Sequence, residues 1–218
     1  MDLYPALNQT FRKWAEDLED IMAESPRRES LEELSRHIVN QRQHTKASKL
    51  LFVCTHNSRR SQLAQCLAQA AATYYDLPYI ETFSGGTEAT AFHPNAIKAL
   101  TNLGFTVEKK EGPHSTTNPI YLTYMHSSLA PLRLFSKRHR DTPNPKTNFI
   151  AIMTCSEANE QCPVIDGSDE RLQLSYKDPK IADKTPQAKD VYLDKATKIG
   201  REMTWVMLEV RRKLQDAK

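Results

Sequence analysis

A cysteine, two arginines and two serines occupy one short stretch of the chain, CTHNSRRS at residues 54–61. Cys54 and Arg60 have the spacing C-x5-R, and Ser61 follows directly. A tight loop leading into a helix N-terminus points backbone N–H groups inward and binds a tetrahedral oxyanion. Arginine adds a planar fork for two oxygens, and positive surroundings favour the cysteine thiolate, the form that attacks. The spacing predicts an oxyanion held against a nucleophilic sulfur; a buried strand-end thiol is the structural alternative.

Two further cysteines stand close together in TCSEANEQCP, where Cys155 and Cys162 are seven positions apart. A structural zinc site prefers two to four intervening residues and a second ligand pair, and no such pair is apparent. Redox exchange and simple packing therefore stay open, and we predict neither a metal nor a cofactor. The fourth cysteine, Cys66, lies among apolar residues of a predicted helix and is expected to be a core residue.

An Asp-Pro pair at Asp178 and Pro179 gives a candidate acid. Such a pair after a strand is often only a turn. Taken alone, the pair favours a turn over a catalytic role for Asp178.

Strands and helices alternate from Lys49 onward and must position these residues. The predicted strands are KLLFVCT, YIETFSGG, FIAIMTC and LQLSYKD, and the predicted helices are 59–75, 94–103 and a last one opened by Thr185-Pro186. Residues 111–148 form a long polar stretch with one short strand candidate near IYLTYMH. This alternation predicts an α/β fold, with a mostly parallel four-stranded sheet and helices on both faces.

The carboxyl ends of parallel strands are where functional groups gather in such sheets. Four candidate residues fall at predicted strand ends: Cys54, Ser84, Cys155 and Asp178. This coincidence predicts one site at one edge of the sheet.

Residues 1–46 are predicted to be helical throughout. Leu7, Phe11, Trp14, Leu18 and Ile21 have the spacing of one helix face. A second helix is expected to start at Ser25-Pro26, with Leu31, Leu34 and Ile38 on its apolar face. We predict a helical hairpin packed on the main domain, with domain ranges 1–46 and 47–218.

Composition restricts the function classes. The chain has 218 residues, 39% of them apolar, and a formal net charge of +3, which is too small to indicate nucleic-acid binding. The basic cluster at residues 137–140 is expected to be a solvated loop. The N-terminus has no features of a secretory signal, and no apolar run approaches the roughly 20 residues of a membrane span. We therefore expect no membrane partner and a cytoplasmic location.

The string CTHNSRRS, the later SGGTEATAFHPNA and the Asp178-Pro179 pair resemble the low-molecular-weight tyrosine phosphatase superfamily, in particular its thioredoxin-coupled arsenate reductase branch. The resemblance runs from about Lys49 to the C-terminus. It implies Cys54 as nucleophile, Arg60 as the anion-binding residue and Asp178 as general acid. The oxyanion-binding and loop-shaping positions that it implies are Thr55, His56, Asn57, Ser58, Arg59 and Ser61.

Four positions depart from the family pattern. His56 and Arg59 stand where arsenate reductases usually carry glycine and cysteine, so Arg59 removes a vicinal thiol and adds positive charge. Gln65 stands where some members hold a potassium ion with an acidic residue, so no ion is predicted. Lys180 replaces the aromatic residue that follows the Asp-Pro pair in tyrosine phosphatases, which favours the reductase.

The resemblance also gives Cys155 and Cys162 a role, because the arsenate reductase branch has a pair with this spacing. It implies a Cys54–Cys155 disulfide formed as arsenite leaves, then a Cys155–Cys162 disulfide for thioredoxin. A helix across this segment would span about 10 Å, whereas a disulfide needs Cα atoms within about 7 Å. The segment must therefore loop or unwind. The alternatives are a phosphatase for phosphotyrosine or another phosphomonoester, and a non-enzymatic anion or redox sensor.

Overall fold

A parallel four-stranded sheet lies at the centre of the computed structural model, which describes residues 3–110, 116–161 and 164–216. Its strands are β1 (Ser48–Cys54), β2 (Ile80–Gly86), β6 (Phe149–Met153) and β7 (Ser168–Gln173), in the spatial order β2-β1-β6-β7. β1 pairs in parallel with β2 and with β6, so the ends of all three strands meet at the same edge. The predicted α/β fold class is confirmed.

Both faces of β1 are buried, which explains its continuous apolar run. Leu50 and Phe52 join a large core with α4 (Arg60–Tyr74) and α7 (Ala188–Asp216). Leu51 and Val53 face a smaller core that includes Ala158 of the short helix α6 (Ser156–Gln161). Helices therefore cover both faces, but unevenly.

The last helix behaves as its apolar periodicity predicts. It starts at Ala188, slightly after the predicted Thr185-Pro186. Its predicted apolar face is buried in full, at Tyr192, Ala196, Ile199, Met203, Val206 and Val210. The predicted helix at 94–103 is α5 (Pro94–Asn102), which ends before Gly104 at φ +104°.

A second sheet has two of its three strands within the polar stretch 111–148. It is antiparallel and contains β3 (Thr106–Lys109), β4 (Tyr121–Tyr124) and β5 (Leu132–Leu134). Only β4 matches the predicted strand near IYLTYMH. With three and four residues, β5 and β3 are too short to show a clear alternation.

The N-terminal extension forms three helices, α1 (Pro5–Glu16), α2 (Leu18–Ala23) and α3 (Arg28–His44), which pack against α7. The predicted continuous first helix is wrong, because Asp17 interrupts it at φ −115° and ψ 11°. The interruption changes the helix register, so Met22 is buried and Ile21 only half-buried. The third helix starts at Arg28, two residues after the predicted proline start, and the boundary between residues 46 and 47 stays a prediction.

No helix in residues 3–110, 116–161 and 164–216 is both long and apolar enough to cross a membrane.

Candidate active site

The loop between Cys54 and Arg60 joins the end of β1 to the start of α4, as the spacing predicts. Asn57 adopts a left-handed conformation at φ +45°, which asparagine tolerates better than most residues. Its amide Nδ2 donates to Ser61 Oγ at 2.8 Å, and its Oδ1 accepts from the backbone N–H of Lys137 at 2.9 Å. Gln62 Nε2 donates to the Asn57 carbonyl at 3.1 Å. These contacts fix the turn from inside the loop.

The Cys54 sulfur lies 3.1 Å from Ser61 Oγ and is buried. Since Ser61 Oγ accepts from Asn57, its own hydrogen is available for the sulfur. The structure therefore brings together three predicted site residues, Cys54, Asn57 and Ser61.

Arg60 and Asp178 are also brought together. Arg60 Nη2 donates to Asp178 Oδ2 at 2.6 Å, and its Nη1 donates to the Tyr176 carbonyl at 3.0 Å. Glu157 Oε2 lies 3.8 Å from Nη1. These acceptors hold the planar Arg60 guanidinium in one orientation.

Asp178 does not lie at a strand end, which corrects the prediction. β7 ends at Gln173, and Asp178 instead caps a 3-10 helix, Pro179–Ala182, by accepting from the Lys180 backbone N–H at 3.0 Å. The chain leaves the sheet after Gln173 and carries residues 174–178 toward Arg60. Ser84 is also not terminal, since β2 continues to Gly86.

Cys155 lies beside the same loop, just after β6. Its sulfur is 3.5 Å from Thr55 Oγ1, and it accepts from the Ala158 backbone N–H at 3.4 Å. Burial raises the pKa of the Cys155 thiol above its ordinary value, despite the opposing hydrogen bonds from Thr55 and Ala158. Cys162 lies outside the described residues, so its predicted pairing is not located. Cys66 is fully buried in α4, in agreement with the predicted core role.

The segment after β2 supports the outside of the loop. The Thr55 carbonyl accepts from the Glu88 N–H at 2.8 Å, and the Ser58 hydroxyl donates to the Ala91 carbonyl at 2.6 Å. The His56 carbonyl accepts from the Ser136 hydroxyl at 2.8 Å. The His56 imidazole is exposed and lies near the Glu88 carboxylate. Residues of the motif SGGTEATAFHPNA therefore pack against the outer side of the loop.

Gly86 allows the end of β2 to lie very close to the backbone of the loop. A Cβ atom there would lie 2.6 Å from the Thr55 carbonyl oxygen and 2.8 Å from the Asn57 nitrogen, distances that no side chain can occupy. A glycine at position 86 is therefore required by the packing of the loop.

The basic cluster at residues 137–140 also supports the site, which corrects the expected solvated loop. The Lys137 carbonyl accepts from the Gly86 N–H at 2.9 Å, and His139 N–H donates to the Gly86 carbonyl at 2.8 Å. Lys137 is buried, and desolvation lowers its pKa to about 8. Arg138 and Arg140 are exposed as predicted. Nothing in the sequence distinguished the buried lysine from its charged neighbours.

Arg59 is directed to a different cluster from Arg60. Its Nε donates to the Tyr192 hydroxyl at 2.5 Å, and its Nη2 pairs with Asp183 Oδ2 at 2.5 Å. Tyr192 also donates to Asp183 Oδ1 at 2.6 Å and stacks on His93. The added charge predicted for the loop is therefore paired, and it ties the start of α4 to the residue after the 3-10 helix.

The charges in this cluster shift the pKa values of its members. Partial burial alone would raise the pKa of Asp183, but the Tyr192 hydrogen bond and the Arg59 charge together hold it below its ordinary value. Burial, with the Arg59 charge, lowers the pKa of His93. The cluster is therefore arranged around ionised Asp183 and neutral His93.

Gln65 donates from its side-chain amide to the Thr82 carbonyl at 3.0 Å. Among the residues that the structure describes, no group of three or more histidine, cysteine, aspartate or glutamate side chains is placed to hold a metal ion.

Comparison with known proteins supports this description of fold and loop. Residues 49–120 match the family of low molecular weight phosphotyrosine protein phosphatases. The part of the chain that matches this family is the part that contains the loop from Cys54 to Arg60.

Curated proteins that the chain is similar to include arsenate reductases. An arsenate reductase of Shouchella clausii is 24% identical over 138 residues, covering 63% of this chain and 78% of its own. Arsenate reductase 2 of Staphylococcus epidermidis is 25% identical over 130 residues, covering 60% and 77%.

Similar solved structures include a mutant of YwlE from Bacillus subtilis, which is 15% identical, covers 78% of this chain and 99% of that chain, and gives a TM-score of 0.49. An arsenate reductase in the phosphate binding state is 17% identical, covers 75% and 98%, and gives a TM-score of 0.42.

Proposed function

We propose that the protein is a thioredoxin-coupled arsenate reductase, in which Cys54 attacks arsenate while Cys155 and Cys162 carry the oxidation outward. The position of Cys155 is the observation that supports this most. The buried Cys155 sulfur lies 3.5 Å from the hydroxyl oxygen of Thr55, and Thr55 directly follows Cys54 in the chain. A phosphatase needs no second thiol there, and the curated relatives are arsenate reductases.

The first step is an attack by the Cys54 thiolate on arsenic. The backbone N–H groups of the loop and the Arg60 fork hold the arsenate oxygens. An S–As bond forms and an As–O bond breaks, and the departing oxygen takes the Asp178 proton and leaves as water. Asp178 lies close enough for this role, since its carboxyl is 2.6 Å from the guanidinium that would hold the substrate, and it takes up a proton from solvent when the arsenate replaces it on Arg60.

The second step transfers two electrons. The Cys155 thiolate attacks the Cys54 sulfur, an S–S bond forms, and the electron pair of the S–As bond passes to arsenic. Arsenic(V) becomes arsenite as two thiols become one disulfide. Only the thiolate attacks, and burial raises the pKa of Cys155. Loss of the Cys155 proton is therefore a required part of this step.

The third step needs Cys162, which attacks the Cys155 sulfur and frees Cys54. The product is a Cys155–Cys162 disulfide that a dithiol protein such as thioredoxin reduces. Residues 156–161 between the two cysteines are helical as α6, so this helix must unwind for the sulfurs to meet. Its short length and largely polar sequence make the unwinding inexpensive.

A second candidate is a phosphatase that forms a phosphocysteine on Cys54. The match of residues 49–120 to the phosphatase family favours it. The same nucleophile, arginine and acid would transfer the phosphoryl group to Cys54 and then to water. Weak aryl phosphate hydrolysis is therefore expected even of a reductase.

Purified protein supplied with arsenate, thioredoxin, thioredoxin reductase and NADPH tests the proposal. NADPH should be consumed only when arsenate is present. Cys155→Ser should end this consumption and spare the hydrolysis of p-nitrophenyl phosphate, whereas the control Cys66→Ala should retain both activities. Rapid phosphate ester hydrolysis without any arsenate-dependent NADPH consumption would show that the phosphatase candidate is right.

A further inference from the structure

One side chain of the N-terminal extension reaches the segment that leads to Asp178. Arg27 lies in the turn between α2 and α3, and its Nη1 donates to the Ser175 carbonyl at 2.9 Å. Its Nε and Nη2 donate to the two carboxylate oxygens of Glu202 in α7, at 2.9 and 3.1 Å. The guanidinium also lies 4.8 Å from the centre of the Tyr176 ring. Arg27 thus links residues 175 and 176 to α7.

The carboxylate of this ion pair is buried, whereas Arg27 is partly exposed. The Glu202 side chain is 3% exposed, and the Tyr176 hydroxyl donates to its Oε2 at 2.7 Å. A buried carboxylate is tolerated only when it is paired, so loss of Arg27 would leave Glu202 without its compensating charge. Glu202 and the Tyr176 that binds it would then have to rearrange.

Tyr176 connects this pair to the catalytic groups. Its carbonyl accepts from Arg60 Nη1 at 3.0 Å, and two residues later Asp178 accepts from Arg60 Nη2 at 2.6 Å. Beyond the end of β7, the Leu174 N–H still donates to the Met153 carbonyl at 2.9 Å and the Tyr176 N–H to the Thr154 carbonyl at 3.0 Å. The chain then continues to Asp178, whose contact with Arg60 is made by its side chain.

We propose that Arg27 is a positioning residue, through which the N-terminal extension sets the geometry of Arg60 and Asp178. This inference rests on the proposed function for its catalytic consequence. It gives residues 1–46 a role in the reaction that goes beyond covering α7.

The test compares Arg27→Met with a matched control, Asp17→Asn. Asp17 pairs with Arg201 at 3.2 Å and so also ties the extension to α7, one residue from Glu202, but this ion pair does not involve residues 175–178. Phenyl phosphate has a poor leaving group and depends on a well-placed acid, whereas p-nitrophenyl phosphate depends on it less. Displacing a catalytic group by about 1 Å costs about 10²-fold.

Arg27→Met should therefore lower kcat for phenyl phosphate by about 10- to 100-fold, with a clearly smaller loss for p-nitrophenyl phosphate. Arg27→Lys, which keeps the charge but not the fork, should recover part of this loss. Asp17→Asn should leave the ratio of the two kcat values unchanged. A purely structural role for Arg27 would reduce the folded fraction and lower both kcat values equally, which would contradict the inference.

Hydrogen exchange provides a readout that needs no activity. The peptide covering residues 174–183 should exchange faster in Arg27→Met than in the wild type and in Asp17→Asn. If Arg27→Met does not fold, the inference is tested on Arg27→Lys instead, by the ratio of the two kcat values and by the hydrogen exchange of residues 174–183. Wild-type protein inactive toward both arsenate and aryl phosphates would overturn the proposed function, while the exchange data would still judge the positioning. Equal exchange in Arg27→Met and Asp17→Asn would overturn the inference.

Discussion

Replacing Gly86 with alanine perturbs the catalytic loop without removing any functional group. The new Cβ would meet three backbone atoms, from Glu88, Thr55 and Asn57, and backbone cannot swing away as a side chain can. The Thr55 oxygen, at 2.6 Å, would have to retreat by 0.8 Å to reach the 3.4 Å of an ordinary contact (3.4 less 2.6). Thr55 directly follows Cys54, so the nucleophile moves with it.

A displacement of this size at a reacting group costs about 10²-fold in rate. We therefore expect Gly86→Ala to lower kcat/KM for p-nitrophenyl phosphate, and the rate of arsenate-driven disulfide formation, by about 10²-fold. The assay is steady-state hydrolysis with the folded fraction measured by thermal unfolding of the same samples.

Gly167→Ala is the control, because its Cβ would also meet a backbone atom, the Lys146 carbonyl oxygen, in the turn before β7. Its φ of +81° adds strain, so this variant should lose stability but keep the kcat/KM of its folded molecules. Wild-type kcat/KM in Gly86→Ala would refute the reasoning that backbone contact sets the loop geometry.

Three further outcomes test the site. Asp178→Asn should lower phenyl phosphate hydrolysis by about 10²–10⁴-fold and p-nitrophenyl phosphate hydrolysis less; equal losses would show that Asp178 only shapes the turn. Because burial raises the pKa of Cys155, the single-turnover rate of disulfide formation should rise about tenfold per pH unit between about pH 7 and 8.5, and a flat profile would contradict this. Although burial opposes it, Tyr192 and Arg59 hold the pKa of Asp183 below its ordinary value, so its stabilisation is complete above about pH 4 and is lost as pH falls through the lowered pKa. Asp183→Asn should therefore flatten the free energy of unfolding against pH below about pH 4, and an unchanged pH dependence would show that the ion pair with Arg59 does not contribute.

The parts of the fold that the sequence predicts are those with a clear apolar pattern, either a continuous run or the period of a helix. β1 is apolar because both its faces are buried, and α7 shows its buried face directly. The C-x5-R spacing locates the loop because the chemistry requires the cysteine and the arginine on either side of one turn.

The predictions that were wrong or missing have identifiable physical causes. LQLSYKD predicts a strand that ends at Asp178, yet β7 ends at Gln173, and the Tyr176 carbonyl and the Asp178 carboxylate bind Arg60 instead. The partners of Arg59 and Arg27 lie 124 and 175 positions away in the chain, at Asp183 and Glu202. No local pattern records such pairs, and only the tertiary packing brings them together.

The thiol relay is the central claim, and mass spectrometry after a single exposure to arsenate tests it most directly. Wild-type protein should contain a Cys155–Cys162 disulfide, because Cys162 completes the exchange and frees Cys54. Cys162→Ser should stop one step earlier and contain a Cys54–Cys155 disulfide. Wild-type protein that keeps all its thiols reduced under arsenate, while it hydrolyses phosphotyrosine rapidly, would contradict the relay and leave the phosphatase.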